Sequence, residues 1–333
     1  EYQKKKQACI LTGLAGSSKP VFFAAADKLL GGKGSMAFIT ASREEIRTYR
    51  RELNYLYPDL PMQELYPVSL PRVQADTQSL ELQAGRAAAL RFLSGEERGV
   101  VFITAEALQQ KQLRPSGMSG KALQLAVGEE HEQRNIAAAL LDLGYERTEQ
   151  VDALGQFCLR GDILDVYPIN SSTAVRIEWF DNELDAMRSF DVDTQRSLQT
   201  LTSIKIAPLK VDESFSYDAD IFEYCAADTM VVVDEPVHVF SMLEKLDKEN
   251  KEHASELFGK QELIEQLAAN GAVLVSALGH SYLQQLPSLN IPVRAVAPYN
   301  KNTNLLVEDL QNWLAEGITP LIMLSGSIKA RGF

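Results

Sequence analysis

Ala8-Cys9-Ile10-Leu11-Thr12-Gly13-Leu14-Ala15-Gly16-Ser17-Ser18-Lys19-Pro20 begins with an apolar run, Ala8 to Leu11, and passes into a loop rich in glycine and serine. Val21 to Leu30 then reads as a helix stopped by Gly31-Gly32, so the stretch spells strand, loop, helix. A working phosphate-binding loop has the form G-x-x-x-x-G-K-[ST]. Its second glycine lets backbone N–H groups wrap the phosphates, its lysine neutralises them, and its hydroxyl ligates Mg²⁺. Gly13 and Lys19 hold two of those places, with Gly16 between them. Ser18 stands where the second glycine belongs, and Pro20 replaces the hydroxyl residue while offering no N–H of its own. Each of these losses removes ~3 kcal/mol of the electrostatic stabilisation on which phosphoryl transfer relies. The loop reads as a decayed nucleotide site with no catalytic residue; a plain Gly/Ser turn ahead of a helix is the alternative.

Outward from this loop the strand and helix rhythm continues. Met36 to Thr40 is a second buried strand, and Ser42 with Glu45 has capping-box spacing for an amphipathic helix through Ile46, Tyr49, Leu53 and Leu56. A stretch punctuated by Pro58, Pro61, Pro67 and Pro71 leads to a helix from Leu80 to Leu93 and a strand from Gly99 to Thr104. Alternating strands and helices imply a parallel sheet. Met230-Val231-Val232-Val233-Asp234-Glu235 then has the form of a strand delivering two carboxylates to the carboxyl edge of that sheet, where a live enzyme would hold Mg²⁺ and polarise water. A solvated acidic turn is the bland reading of Asp234 and Glu235, and His238 nearby reads as a surface or partly buried side chain.

Between the two halves the character changes, at Pro115-Ser116-Gly117. One helix, Ile136 to Leu143, is followed by short strands at Gln150 to Leu154, Phe157 to Arg160, Ile163 to Tyr167, Val175 to Phe180, Leu184 to Phe190 and Ile204 to Ala207. They predict an inserted α+β domain with a mainly antiparallel sheet, and Phe180-Asp181-Asn182-Glu183 is its hairpin turn. After it the α/β pattern returns with a helix Gln261 to Ala269 and strands Ala272 to Ser276 and Val293 to Val296. A helix Leu305 to Leu314 and a strand Pro320 to Leu324 begin a further unit. The expected division is 1–114, first part of an α/β domain; 115–208, the insertion; 209–297, the second part; and 298–333, the start of another α/β domain.

The 333 residues carry a formal net charge of −12, which repels nucleic acid and anionic membrane on average, so contact with either would need a local basic patch. Cys9, Cys158 and Cys225 lie far apart, with no zinc spacing and no even count for a disulfide framework, which fits a reducing cytoplasm. No metal site is expected. No apolar stretch reaches the length of a membrane span.

Three blocks carry a family resemblance: Phe157-Cys158-Leu159-Arg160-Gly161-Asp162-Ile163-Leu164-Asp165-Val166-Tyr167-Pro168, Val175 to Asp185, and Phe190 to Leu198. Together with Gly13 to Lys19 and Gly99 to Gln112 they resemble the UvrB-homology module of the transcription-repair coupling factor (Mfd) family. The resemblance implies a degenerate RecA/helicase-like P-loop fold, α/β with a parallel sheet, interrupted by the inserted α+β domain. UvrB itself keeps an intact P-loop and a long DNA-gripping insertion, for which Tyr66 to Leu90 is too short here.

The family couples transcription to nucleotide excision repair: it displaces RNA polymerase stalled at a lesion with an ATP- and Mg²⁺-dependent DNA translocase and recruits UvrA. The resemblance implies that this part is the UvrA-docking, ATPase-inactive one, with no cofactor of its own. RNA polymerase and DNA would be met by other domains, and a carboxy-terminal domain would make an intramolecular contact. The region at Lys210-Val211 is short by a helical segment relative to the family. Residues carried over for UvrA binding are Arg160, Arg176 and Phe180, whose chemistry suits a hot spot. Alternation along the strand puts Arg176, Glu178 and Phe180 on one face and Val175, Ile177 and Trp179 on the other, the core side. Spacing alone would favour ordinary salt bridges from the two arginines to Asp162, Asp165, Glu178 or Asp185. The competing functional readings are a helicase fragment that still binds ATP and a UvrB-like domain that contacts damaged DNA.

Overall fold

The computed structural model describes residues 7–14, 16–29, 34–70, 80–115, 122–209, 217–278, 286–293, 299–300, 302–320 and 322, with residues 26–29 as backbone only. Gly31-Gly32, Pro71, Ser116-Gly117, the Lys210-Val211 junction, Pro298 and most of the expected strands Val293 to Val296 and Pro320 to Leu324 lie outside them. The chain forms two compact units, Glu1–Pro292 and Val293–Phe333.

A seven-stranded sheet organises the larger unit. Its strands are β1 (Cys9–Thr12), β2 (Met36–Thr40), β3 (Met62–Leu65), β4 (Val100–Thr104), β15 (Met230–Asp234), β16 (Val273–Ser276) and β17 (Ser288–Asn290). They lie in the order β17-β1-β16-β15-β2-β4-β3, and every neighbouring pair is parallel. Helices cover both faces, which is why β2 and β4 are unbroken apolar runs buried at every position.

Alternate residues of each strand feed two cores. Ile39, Val101, Ile103, Val231 and Val233 meet the helices α3 (Leu80–Leu93), α4 (Ala105–Gln109), α6 (Pro236–Glu249) and α7 (Lys260–Ala269). Phe38, Phe102 and Val232 meet α1 (Ser18–Leu29) and α2 (Arg43–Leu56). On that second face Phe38 packs edge-on to Phe23 and against Tyr49 and Phe102, with centroids 5.2, 4.6 and 5.7 Å away. The capping box forms as the spacing predicts: the Glu45 N–H donates to Ser42 Oγ at 3.4 Å and the Ser42 N–H to Glu45 Oε2 at 3.0 Å.

Residues 122–209 build a separate core. Six strands, β7 (Glu146–Arg147), β8 (Gln156–Arg160), β9 (Ile163–Val166), β10 (Ala174–Phe180), β11 (Glu183–Phe190) and β12 (Ser197–Leu201), form a sheet in the order β12-β11-β10-β9-β8-β7. All its pairs are antiparallel except β7 with β8. The helix α5 (Gln133–Asp142) supplies Ile136 and Leu140 to a core with Phe157, Leu164, Val175, Ile177, Trp179 and Leu184. A second ladder joins β6 (Leu123–Ala126) to β13 (Ser203–Ile206), and a third joins β5 (Gln112–Leu113) to β14 (Tyr217–Ala219). In the smaller unit, α8 (Thr303–Ala315) is capped by Asn302, whose side chain accepts from the Leu305 N–H at 3.2 Å.

One expected strand is absent. Gln150 to Leu154 is a turn in which the Asp152 and Ala153 N–H groups donate to Gln156 Oε1 at 3.0 and 3.1 Å. Val151 is buried against Cys158, Ala174 and Phe190, so its apolar character reflects true burial without a ladder. Seven strands, β3, β5, β6, β7, β12, β14 and β17, and the helix α6 were not expected from the sequence. Truncating Phe157, which is fully buried at the centre of the inserted domain, should cost about 3–5 kcal/mol as Phe157→Ala. Chemical denaturation of the two proteins measures it.

Candidate functional site

Two places collect the residues singled out from the sequence. The first lies at the carboxyl ends of β1, β15 and β16. The chain leaves β1 towards β2 in one direction across the sheet and leaves β16 towards β17 in the other, so this is the switch point at which open α/β sheets take ligands. Gly13 follows β1 with φ 88°, and a Cβ there would stand 2.4 Å from the Ile291 carbonyl oxygen. Close backbone approach therefore requires this glycine: the Ile291 N–H donates to the Thr12 carbonyl at 2.8 Å and Thr12 Oγ1 donates to Asn290 Oδ1 at 3.2 Å. Gly16 is also left-handed, with φ 54°, but a Cβ there would meet nothing. Ser18 and Lys19 begin α1, and Pro20 fits its first turn, where no intrahelical donor is needed.

Lys19 does not face solvent. Its ammonium lies 2.6 Å from Asp234 Oδ1 and 2.6 Å from Glu235 Oε1, and the Lys19 and Asp234 side chains are both 7% exposed. Tyr49 of α2 faces Asp234 and, like Lys19, favours its ionised form. Glu235 also accepts the Ala277 N–H at 3.0 Å and the Ser276 hydroxyl at 3.2 Å. Burial works to lower the Lys19 pKa, and the two carboxylates outweigh it, so the ammonium is held above its ordinary value. Burial raises Asp234 above the usual carboxylate range. It would raise Glu235 too, but the bonds from Lys19, Ala277 and Ser276 hold that carboxylate below its ordinary value. Glu235 reaches this position in a left-handed conformation, φ 40°, as the residue ahead of Pro236 and α6. Such a conformation costs on the order of 1–3 kcal/mol in a non-glycine residue. The sequence brought Lys19, Asp234 and Glu235 under notice; it did not show that they bind one another, nor that Tyr49, Ser276 and Ala277 complete the cluster. His238 is exposed, as read.

The second place is the outer face of the inserted sheet. Arg176 and Glu178 are half-buried on this face with Phe180, which is 78% exposed, while Val175, Ile177 and Trp179 are buried on the other, as alternation predicts. Phe180 stands at the tip of the β10–β11 hairpin, whose turn residue Asp181 has φ 57°. Register places Arg176 opposite Asp165 and Glu178 opposite Ile163, and β8 brings Arg160 opposite Ile163. Arg176 grips Asp165 with two bonds, Nε to Oδ1 at 2.6 Å and an Nη to Oδ2 at 2.8 Å, and Arg160 adds a third to Oδ2 at 2.9 Å. Of the four acids considered from spacing, both arginines choose Asp165. Glu178 pairs with Arg188 at 2.6 Å. The Arg176 guanidinium also lies 4.6 Å from the centre of the Phe190 ring. Arg160, Arg176 and Phe180 are thus brought onto one face, and they are remote in the fold's connectivity from the Lys19 cluster.

Among the described residues no group of three or more His, Cys, Asp or Glu could hold a metal ion, and no helix is long and apolar enough to cross a membrane. All three cysteines are free thiols.

Comparison with known proteins places these features. Residues 123–211 match the UvrB interaction domain. The transcription-repair-coupling factor of Bacillus subtilis (strain 168) is 36% identical over 203 residues, 60% of this chain and 17% of that protein. That of Staphylococcus haemolyticus is 32% identical over 202 residues, 60% of this chain and 17% of its own. That of Escherichia coli (strain K12) is 28% identical over 165 residues, 50% of this chain and 14% of its own. The chain therefore spans about a sixth of the length of these relatives. The resemblance read from the sequence is borne out: the chain is related to the transcription-repair-coupling factors and carries a UvrB interaction domain.

Lys19→Met should leave Asp234 and Glu235 buried together without a cation, at a cost of about 3–5 kcal/mol. Their folded-state pKa values would then exceed the unfolded ones, the folded state would bind more protons, and stability would fall as pH rises. Urea denaturation at pH 7 and at about pH 5 should show a deficit that shrinks on acidification.

Proposed function

We propose that this chain is the UvrB-like docking module of a transcription-repair coupling factor, recruiting UvrA through its inserted domain while its nucleotide site stays inactive. The observation that carries the reading is the coincidence of the UvrB interaction domain match, residues 123–211, with an exposed Phe180 on the sheet face that also carries Arg160 and Arg176. Aromatic and arginine side chains are among the residue types that most often anchor protein–protein interfaces. In this reading residues 1–114 and 209–297 form one degenerate RecA-like domain, 115–208 the UvrA-binding insertion, and 298–333 the start of a further domain.

The inactive site rests on two supports. Pro20 removes the hydroxyl that would ligate Mg²⁺. Lys19, the cation that would meet phosphate, is already neutralised by Asp234 and Glu235, and those are the carboxylates that would hold the metal and polarise water. ATP, Mg²⁺, DNA and RNA polymerase belong, in this reading, to other parts of the parent protein, as does an intramolecular contact with its carboxy-terminal domain. The three free thiols are in keeping with a reducing cytoplasm.

Calorimetric titration of the chain with UvrA tests the reading. Arg176→Ala and Phe180→Ala should each weaken binding by ~2 kcal/mol or more while leaving the chain folded. Absence of any binding by the unaltered chain would refute it.

A further inference from the structure

Asp165 occupies an unusual position for a carboxylate. It lies on the outer face of the inserted sheet, yet its side chain is 2% exposed, because the Arg160 and Arg176 guanidinium groups close over it. The fold supplies the rest of the enclosure. Asp165 sits in β9 between Cys158 of β8 and Arg176 of β10, with Phe190 beneath the Arg176 guanidinium. An isolated carboxylate could not be buried there, so its three charge-assisted bonds are a condition of the arrangement.

The two arginines are not equivalent. Arg176 is largely enclosed, its side chain 19% exposed, and is fixed by Asp165, by Gln195 Oε1 at 3.2 Å and by the Phe190 ring. Gln195 is itself held in a left-handed turn, φ 60°, by its side-chain bond to the Val192 carbonyl at 2.8 Å. Arg160 is 53% exposed and gives one bond to Asp165, so most of its fork is directed away from the clasp. One carboxylate shared by two guanidiniums leaves one positive charge over, and that surplus is presented through Arg160 on the face that carries Phe180.

We propose that Asp165 is a positioning residue for this docking face: it acts through Arg176 and Arg160, fixing their guanidinium groups so that the surplus charge is set in place before a partner arrives. The proposal rests on the UvrA-docking reading for its biological meaning and on the clasp alone for its mechanism. A side chain ordered before binding loses less rotamer entropy on association, and for arginine that entropy is large. Asp165 itself, hidden beneath the arginines, needs no contact with the partner.

Asp165→Asn is the informative substitution. It keeps the volume and one acceptor but turns the other oxygen into a donor facing two cations. The 333-residue chain would be titrated with UvrA as wild type, Asp165→Asn, Arg176→Ala and the double variant, with thermal unfolding of each recorded. Asp165→Asn should weaken binding about tenfold, and the double variant should lose less than the two single effects together, because Arg176→Ala already removes one of the two guanidiniums through which Asp165 acts. Full additivity, or undiminished binding by a folded Asp165→Asn, would overturn the proposal.

A partner-free arm separates this from the docking reading. Nitrogen-15 spectra of the arginine Nε–H groups should show Arg176 protected from solvent exchange in the wild type, unlike the exposed Arg134. In Asp165→Asn that protection should be lost. If the wild type fails to bind UvrA, the docking reading falls and the exchange measurement alone decides the clasp. If Asp165→Asn does not fold, an unprotected Arg176 in the wild type still overturns the proposal and a protected one supports it.

Discussion

The bond between Lys19 and the Asp234-Glu235 pair spans 215 residues of sequence and joins the two halves of the parallel sheet on either side of the inserted domain. An ammonium and two carboxylates this well buried are tolerable only together, since each alone would carry several kcal/mol of desolvation. Helix α1, the turn into α6 and the end of β16 each contribute a member of that cluster. The strained conformation of Glu235 is one cost, offset by the bonds to Lys19, Ala277 and Ser276. The lysine of the loop is thereby satisfied from within the fold, by carboxylates.

With the sheet so anchored, the inserted domain is free to present a surface. Its own core, centred on Phe157, Val175, Ile177 and Trp179, packs beneath β8 to β11. The outer face of the same strands carries charged side chains held by register and not by loop geometry. Phe180 is the exception: it projects from the hairpin tip with its ring exposed. A strand-borne surface with one projecting aromatic and a guanidinium pair held by Asp165 is in keeping with the proposed docking role.

Much of this was legible in the sequence where a single physical cause dominates. Continuous apolar runs such as Met36 to Thr40 announce strands buried on both faces, and the alternation from Val175 to Phe180 sorts core from surface. Short, edge-lying or mixed segments were not legible. Met62 to Leu65 lies between two prolines at the sheet edge, and β12 is largely exposed along its length. The helix α6 carried a readable signal, Pro236 at its start followed by Val239, Phe240 and Leu243. Gln150 to Leu154 misled because apolar burial does not require a ladder. The pairing of Lys19 with Asp234 and Glu235, and the choice of Asp165 by both arginines, depend on which strands become neighbours, which local pattern does not state.

Lys19 is paired with Asp234 and Glu235, and under the proposed function this pairing keeps the loop from taking a nucleotide. Titrating the chain with ATP in the presence of Mg²⁺ in a calorimeter tests it most directly. The account predicts no saturable binding at millimolar nucleotide; a Mg²⁺-dependent micromolar Kd would contradict it.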